Sequence, residues 1–311
     1  MSQKKDSIEV VPYNPDWPDI FEAEATKIKT ALDGNCVAIH PIGSTSVPGL
    51  AAKPIIDIMP VVRDIIALDR IRAMESLGYE AKGEAGMLFR RFFQKEGFNV
   101  HIFEEGNGEI EGHLLFRDWM RTHSDDRNRY AKLKQHLALL HPNDIYRYVV
   151  GKDAFVRGIH SKTGFSGIRI VEALTPREWD AVRYFRNKYF FEPYNIDDPY
   201  TWTFVDAQHK HLILYQGTEI IGYAHIQFWF NNRAAVRIIA INESKRNQNI
   251  GSQFLALIEK WLKGLGVTKI HAESRKTSLG FYLKNGYREM PFDDPENHES
   301  NSEDIAVGKI L

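Results

Sequence analysis

Apolar residues recur along this chain with two alternating periods, and the elements they predict fall into two groups. Residues 8–13 read as a short strand-like start. Asn14-Pro15-Asp16-Trp17-Pro18 then opens a helix over 19–32, with Phe21, Ile28 and Leu32 on one side and Asp33-Gly34 as its stop. Strands are predicted at 36–39, 53–59 and 100–103, where apolar runs are bounded by turn residues. Tyr130, Leu133, Leu137 and Leu140 recur at helical spacing over 127–141. Pro142-Asn143-Asp144 breaks that helix, and another runs from Ile145 to about Ile159. After a small, polar, glycine-containing stretch from His160 to Gly167, the pattern restarts with a strand at Ile168. Thr175-Pro176-Arg177-Glu178 is a helix start, with threonine at the cap, proline next and glutamate three residues on; Trp179, Val182 and Phe185 follow. A hairpin is expected from 211–215 and 219–226 around Gln216-Gly217. Strands at 234–241, 268–273 and 305–311 alternate with an amphipathic helix through Gln253 to Leu262.

This order predicts an α/β (α+β) chain of two domains, each a mixed sheet with helices. Residues 1–162 form the first, 163–167 a linker and 168–311 the second, which suits a length of 311 residues. The composition, 43% hydrophobic and 26% charged, allows globular folding throughout. A net charge of −1 provides no global field to draw the chain to nucleic acid or to a membrane. The single cysteine, Cys36, excludes an internal disulfide. With no apolar signal region at the start and no run able to span a bilayer, the cytoplasm is the expected location. The acidic stretch 293–300 reads as a solvated loop.

The chemistry of the second half centres on Arg246-Asn247-Gln248-Asn249-Ile250-Gly251-Ser252, a polar turn between a β-branched strand and an amphipathic helix. A helix start leaves its first amides unpaired and carries partial positive charge, so it suits a phosphate. Gly251 allows close approach, and Asn249 tolerates a left-handed backbone. Taken alone, such a turn reads first as an ordinary loop with Arg246 solvated. About thirty residues on stands Ser278-Leu279-Gly280-Phe281-Tyr282-Leu283-Lys284-Asn285-Gly286-Tyr287. Together the two stretches resemble the signature motifs of the GNAT acyltransferase superfamily. Asn249 replaces the first motif glycine, Ser278 an alanine, Tyr287 a phenylalanine, and Arg275 stands where asparagine is common.

The resemblance implies acetyl-CoA as acyl donor. Backbone around Ile239 and Ile241 would meet the pantetheine arm, and Arg246, Asn247, Gln248, Asn249, Ile250, Gly251 and Ser252 the diphosphate, with Arg275 in the same cofactor set. Tyr282 would protonate the leaving thiolate, since a phenol is a suitable donor to it; its alternative is a core aromatic beside Phe281. Glu219, His225 and Glu273 are candidate general bases. Phe190, Phe191, Tyr194, Trp202 and Tyr223 are candidate walls for a small-molecule or peptide amine, and Asp197 and Asp198 candidate partners for its positive charge; paired surface acids are usually solvated.

In the first half, Gly43-Ser44-Thr45 is followed a dozen residues later by Asp57 on a strand. Gly-Ser amides and hydroxyl suit a nucleotide's phosphates, and a strand carboxylate suits a divalent cation. These residues, with Val47-Pro48-Gly49-Leu50, Lys53 to Ile58, Arg90-Arg91-Phe92-Phe93, Leu114 to Asp118 and Gly151 to Phe155, resemble the GrpB-like family of the nucleotidyltransferase fold, from about Val10 to Ile159. The resemblance implies a nucleotide and a divalent cation near Gly43, Ser44, Asp57 and His101. Met59, however, occupies the second position of the expected Asp-x-Asp pair and cannot ligate magnesium usefully. Imidazole at His101 suits zinc or manganese better, and no metal site is assigned. Arg90, Arg91, Arg117, Lys134 and Lys152 read either as an anion pocket or as solvated charges. Three readings follow: an acetyl-CoA-dependent N-acetyltransferase fused behind a GrpB-like domain; a nucleotide-sensing or CoA-binding regulatory protein without turnover; and a nucleotidyltransferase in the first half.

Overall fold

A computed structural model describes residues 7–70, 72–296 and 303–311. Helix α1 (Trp17–Leu32) starts where proline in its first turn needs no hydrogen bond, and it buries Phe21, Ile28 and Leu32 on one side. They pack on a five-stranded sheet built from β1 (Cys36–Ile42), β2 (Ile56–Val62), β3 (Glu80–Ala81), β4 (Arg90–Lys95) and β5 (Phe98–Glu104), in the order β1-β2-β5-β4-β3. A short helix, α2 (Ala73–Ser76), precedes β3. Then come α3 (Gly108–Thr122), α4 (Ser124–Leu140), α5 (Ile145–Val150) and α6 (Asp153–Thr163).

The structure departs from three local expectations. Residues 8–13 form no strand; Val11 makes only an isolated bridge to Ala52. The strand expected from 53 starts at Ile56, because Pro54 has no N–H and Ile55 turns back to the Lys53 carbonyl at 2.8 Å. The single helix expected from 145 is two, interrupted at Gly151, which ends α5.

The second sheet has seven strands in the order β11-β12-β10-β9-β8-β7-β6: β6 (Ile168–Glu172), β7 (His209–Gln216), β8 (Glu219–Trp229), β9 (Arg233–Ile241), β10 (Lys269–Ser274), β11 (Arg288–Glu289) and β12 (Ile305–Ile310). Its helices are α7 (Pro176–Arg186), α8 (Ile250–Gly264) and α9 (Leu279–Lys284). The capping box of α7 forms as expected, with the Thr175 hydroxyl accepting from the Glu178 amide and the Glu178 carboxylate accepting from the Thr175 amide. In α8, Ile250, Phe254, Leu255, Ile258, Trp261 and Leu262 are buried at helical spacing. Each such side chain contributes about 1.5–3 kcal/mol relative to exposure. The chain divides into two compact units, Met1–Arg169 with Gln216–Thr218, and Ile170–Tyr215 with Glu219–Leu311. No described helix is long and apolar enough to cross a membrane.

One irregularity of the second sheet positions a groove. Strands β9 and β10 run parallel but pair only over Arg233–Ala235 with Lys269–His271. Beyond Ala235, β9 is paired to β8, while β10 stays with β12 along its whole length. The two strands therefore part, and among the described residues the end of β9 keeps backbone groups on one edge without a strand partner.

Candidate functional site

The turn after β9 is built from left-handed residues. Asn247 and Asn249 have φ of 60° and 62°, the conformation that asparagine tolerates better than most residues with a Cβ. This winds the chain into α8 without a side-chain cap. Among the described residues, no carbonyl or side chain accepts from the amides of 247–252; the first helical bond is Gln253 N–H to the Asn249 carbonyl, 3.1 Å. Residues 246–249 are exposed, Gly251 and Ser252 half-buried, and Ile250 anchors the turn in the core. Arg246 is held in place by two contacts: its Nε donates to the Ile241 carbonyl (3.1 Å), and its guanidinium lies 4.8 Å over the Tyr189 ring. The Gln248 amide donates to Ser244 O at 3.1 Å. A Cβ on Gly251 would stand 3.3 Å from the Phe281 ring and 3.7 Å from Ile241, so the start of α8 lies against both α9 and the end of β9. Substituting Asn249→Gly is expected to change stability by no more than a few tenths of a kcal/mol. Asn249→Val should cost about 1–2 kcal/mol, read as a lower urea midpoint at constant m. Equal losses from both would refute a left-handed requirement.

A cavity of about 640 Å³ lies in the same unit. Phe190, Phe191 and Tyr194 line it. Arg275 lines it too, its guanidinium 5.4 Å from both the Phe190 and Tyr194 rings. The structure thus groups Arg275 with the aromatic wall rather than with the turn. Tyr223 is fully buried and does not line the cavity, and neither does Trp202. Of the candidate bases, His225 and Glu273 line the cavity, whereas Glu219 is exposed and paired with Lys245 at 3.2 Å.

A buried polar network lies against this cavity, and most of it escaped the sequence reading. Arg186, 1% exposed, holds Asp198 in two bonds, Nε to Oδ2 at 2.5 Å and Nη2 to Oδ1 at 2.9 Å. Burial pulls its pKa down, but Asp198 and Tyr223 outweigh this and leave it above its ordinary value. The expected solvated Asp197-Asp198 pair is therefore corrected at Asp198. Arg186 Nη1 also reaches the Tyr223 hydroxyl (3.3 Å) and His225 Nδ1 (3.2 Å). Because a guanidinium only donates, His225 Nδ1 must accept and its Nε2 must carry the proton toward His209 Nδ1, 2.8 Å away. His209 Nε2 then donates to Glu296 at 3.2 Å. Burial, followed by the positive charges nearby, holds His225 well below its ordinary pKa; burial likewise lowers His211 to about 4. These imidazoles are neutral at pH 7, and both ring nitrogens of His225 are occupied. The acidic loop is corrected too: Asp294 pairs with Arg237 at 2.5 Å and both side chains are about nine-tenths buried. Positions 297–300 of that loop lie outside the described residues. A readable trace of the network existed in His209 and His211, two residues apart on a strand whose alternate positions face inward.

Tyr282, on α9, is 5% exposed, with its ring edge-on to Phe281 and Tyr287, both at 5.2 Å. Burial raises its phenol above the ordinary value. No described group hydrogen-bonds its hydroxyl. It does not line the cavity.

In the first unit, Gly43, Ser44, Asp57 and His101 converge. Asp57 Oδ1 accepts from Asn99 Nδ2 (3.0 Å) and lies 3.5 Å from His101 Nε2. Burial acts to raise the Asp57 pKa, but the His101 and Asn99 contacts prevail and lower it. His101 stacks on Phe92 at 4.8 Å. Met59 is fully buried with Ile42 and Phe103, so the second acid position of the motif is filled by core. Among the described residues no three His, Cys, Asp or Glu side chains gather as a metal site. Arg91 pairs with Asp69 and Arg117 with Asp118, so these two are committed elsewhere. Gly43 has φ of 67°, and a Cβ there would collide with the Asp57 carboxylate. Gly43→Ala should lower stability by at least about 1–2 kcal/mol in urea unfolding; an unchanged midpoint would show that Asp57 moves aside freely.

Comparison with known proteins gives both halves a family. A model of the GrpB protein family matches residues 7–162, and a model of the acetyltransferase (GNAT) family matches residues 179–287. UPF0157 protein YqkA of Bacillus subtilis is 44% identical over 158 residues, covering 49% of this chain and 46% of that protein. UPF0157 protein BH1888 of Halalkalibacterium halodurans is 37% identical over 157 residues, 49% of this chain and 80% of its own. The crystal structure of conserved protein GrpB from Enterococcus faecalis is 41% identical, with a TM-score of 0.48, covering 50% of this chain and 96% of that one. The chain thus spans less than half the length of the first of these relatives. It belongs to the GrpB family through its N-terminal half and carries a GNAT-family acetyltransferase domain behind it.

Proposed function

We propose that the second half is an acetyl-CoA-dependent N-acetyltransferase acting on a small-molecule or peptide amine. The observation that carries this reading is the run of amides over 247–252 at the head of α8, unbonded among the described residues, beside the edge where β9 parts from β10. Such donors fit a diphosphate, and an unpaired strand edge fits the amide-bearing pantetheine arm. Arg246 adds charge to the turn. Backbone of Ile239 and Ile241 meets the arm, and Phe190, Phe191, Tyr194 and Arg275 enclose the amine.

Acetyl-CoA supplies an acyl group activated as a thioester. Glu273 takes the proton that an ammonium must lose before its nitrogen can bond to the acyl carbon; His225, with both nitrogens engaged, positions rather than deprotonates. As the carbon–sulfur bond breaks, Tyr282 gives its proton to the thiolate, and the second proton that the nitrogen sheds on becoming an amide passes through water to restore the phenol. A phenol is protonated at neutral pH and so has a proton to give; burial makes it a weaker acid, so the transfer must accompany the build-up of charge on sulfur. One amide and one free thiol result, and no covalent enzyme intermediate is needed.

The test is thiol release from acetyl-CoA across a panel of primary amines, with coenzyme A binding measured by calorimetry on the same preparation. Amine-dependent thiol release together with binding supports the enzyme. Binding without release from any amine leaves a CoA-binding regulatory protein, and absence of binding removes both.

A further inference from the structure

In the GrpB half three lysines gather around two tyrosine rings. Lys134 on α4 is 2% exposed; its ammonium donates to the Ala51 carbonyl at 2.5 Å and lies 4.8 Å over the Tyr130 ring. Lys53 and Lys152 both sit over the Tyr148 ring, at 5.6 and 4.6 Å. Among the described residues, no carboxylate comes within ion-pairing distance of any of the three. The acid whose field reaches all three is Asp57, and its Oδ1 is already shared by Asn99 and His101. Three ammoniums facing one carboxylate leave an excess of positive charge in a partly desolvated place. Aromatic faces offset only a fraction of that cost.

Burial is the main cause that draws Lys134 down to about 7 and Lys152 to about 8, and repulsion between the lysines adds to it. The remaining polar groups are donors as well. Burial pushes the phenol of Tyr148 up to about 12 and that of Tyr130 higher, so both stay protonated, and Ser44 bonds Tyr130. Ammonium and phenol donors from separate stretches converge with little to accept from them.

We propose that Lys53, Lys134 and Lys152 bind the phosphate group of a small phosphorylated ligand, with Tyr130 and Tyr148 as further donors. A dianion matches the charge excess. An oxyanion with several oxygens matches donors arriving from several directions, whereas a carboxylate would satisfy fewer. The site lies wholly in the first unit and does not depend on the acetyltransferase reading.

The experiment titrates pyrophosphate, inorganic phosphate and ADP into the full chain without metal, by calorimetry. It compares wild type with the Lys53→Met/Lys152→Met double variant and with Lys134→Met. Pyrophosphate should bind wild type and raise its Tm, and each variant should lose about tenfold or more in affinity, the scale of one charged hydrogen bond. Without ligand at pH 6, where the Lys134 amine is protonated, Lys134→Met should melt at or above the wild-type temperature, because it removes a buried charge with no ion-pairing acid. Stronger binding of ADP than of pyrophosphate assigns a nucleotide ester, and equal binding assigns the phosphate group alone; either supports the site. Unchanged affinity in the double variant, or no binding of any of the three anions, overturns it.

Discussion

Tyr282→Phe is expected to lower kcat about 100-fold while leaving coenzyme A affinity unchanged, the lower end of what a positioned acid contributes. The substitution is confined to one atom. Phenylalanine keeps the edge contacts with Phe281 and Tyr287 that the ring makes at 5.2 Å, and no described group bonds the hydroxyl. Folding stability should therefore hardly move. A merely structural tyrosine would behave the opposite way, with a shifted Tm and an intact rate. The measurement is kcat at saturating amine, beside a calorimetric Kd and a melting curve. An unchanged kcat with an identified acceptor removes the acid role.

The other large effect is on stability. Asp198→Asn keeps the shape of the side chain but leaves the Arg186 guanidinium, 1% exposed, without its counter-charge. A buried charge stripped of its partner costs about 3–5 kcal/mol, more than most single substitutions. Urea unfolding should show this loss. Replacing both partners, Arg186→Met with Asp198→Leu, should recover much of it, since two apolar groups need no desolvated charge. Because Arg186 also orients His225 beside the cavity, the single variant should raise KM for the amine more than KM for acetyl-CoA. A double variant no more stable than Asp198→Asn would show that the loss arises elsewhere.

Much of the architecture was legible in advance because it rests on neighbours in sequence. The Thr175–Glu178 capping box spans one helical turn, the left-handed Asn249 sits in a local turn, and the buried face of α8 follows its period. The misreadings were of the same short range: Pro54 delayed β2, and Gly151 split a helix whose apolar spacing ran on through it. The site was legible only where a motif carried it. Phe190, Phe191 and Tyr194 meet at one cavity, but Tyr223 belongs to the layer behind it, and Arg275 joins the wall instead of the turn.

The sequence by itself determined the two families, the order of the elements and the turn at the head of α8, all of them properties of local spacing and composition. Only the tertiary structure decided which charges are buried and with whom. Arg186 finds Asp198 twelve residues away, His209 finds Glu296 eighty-seven residues away, and Lys53, Lys134 and Lys152 come together around the Tyr130 and Tyr148 rings with no described carboxylate at ion-pairing distance. The reason is physical: periodicity tells which face of an element is apolar, whereas the fate of a polar group is set by the dielectric and the partners that distant segments bring to it.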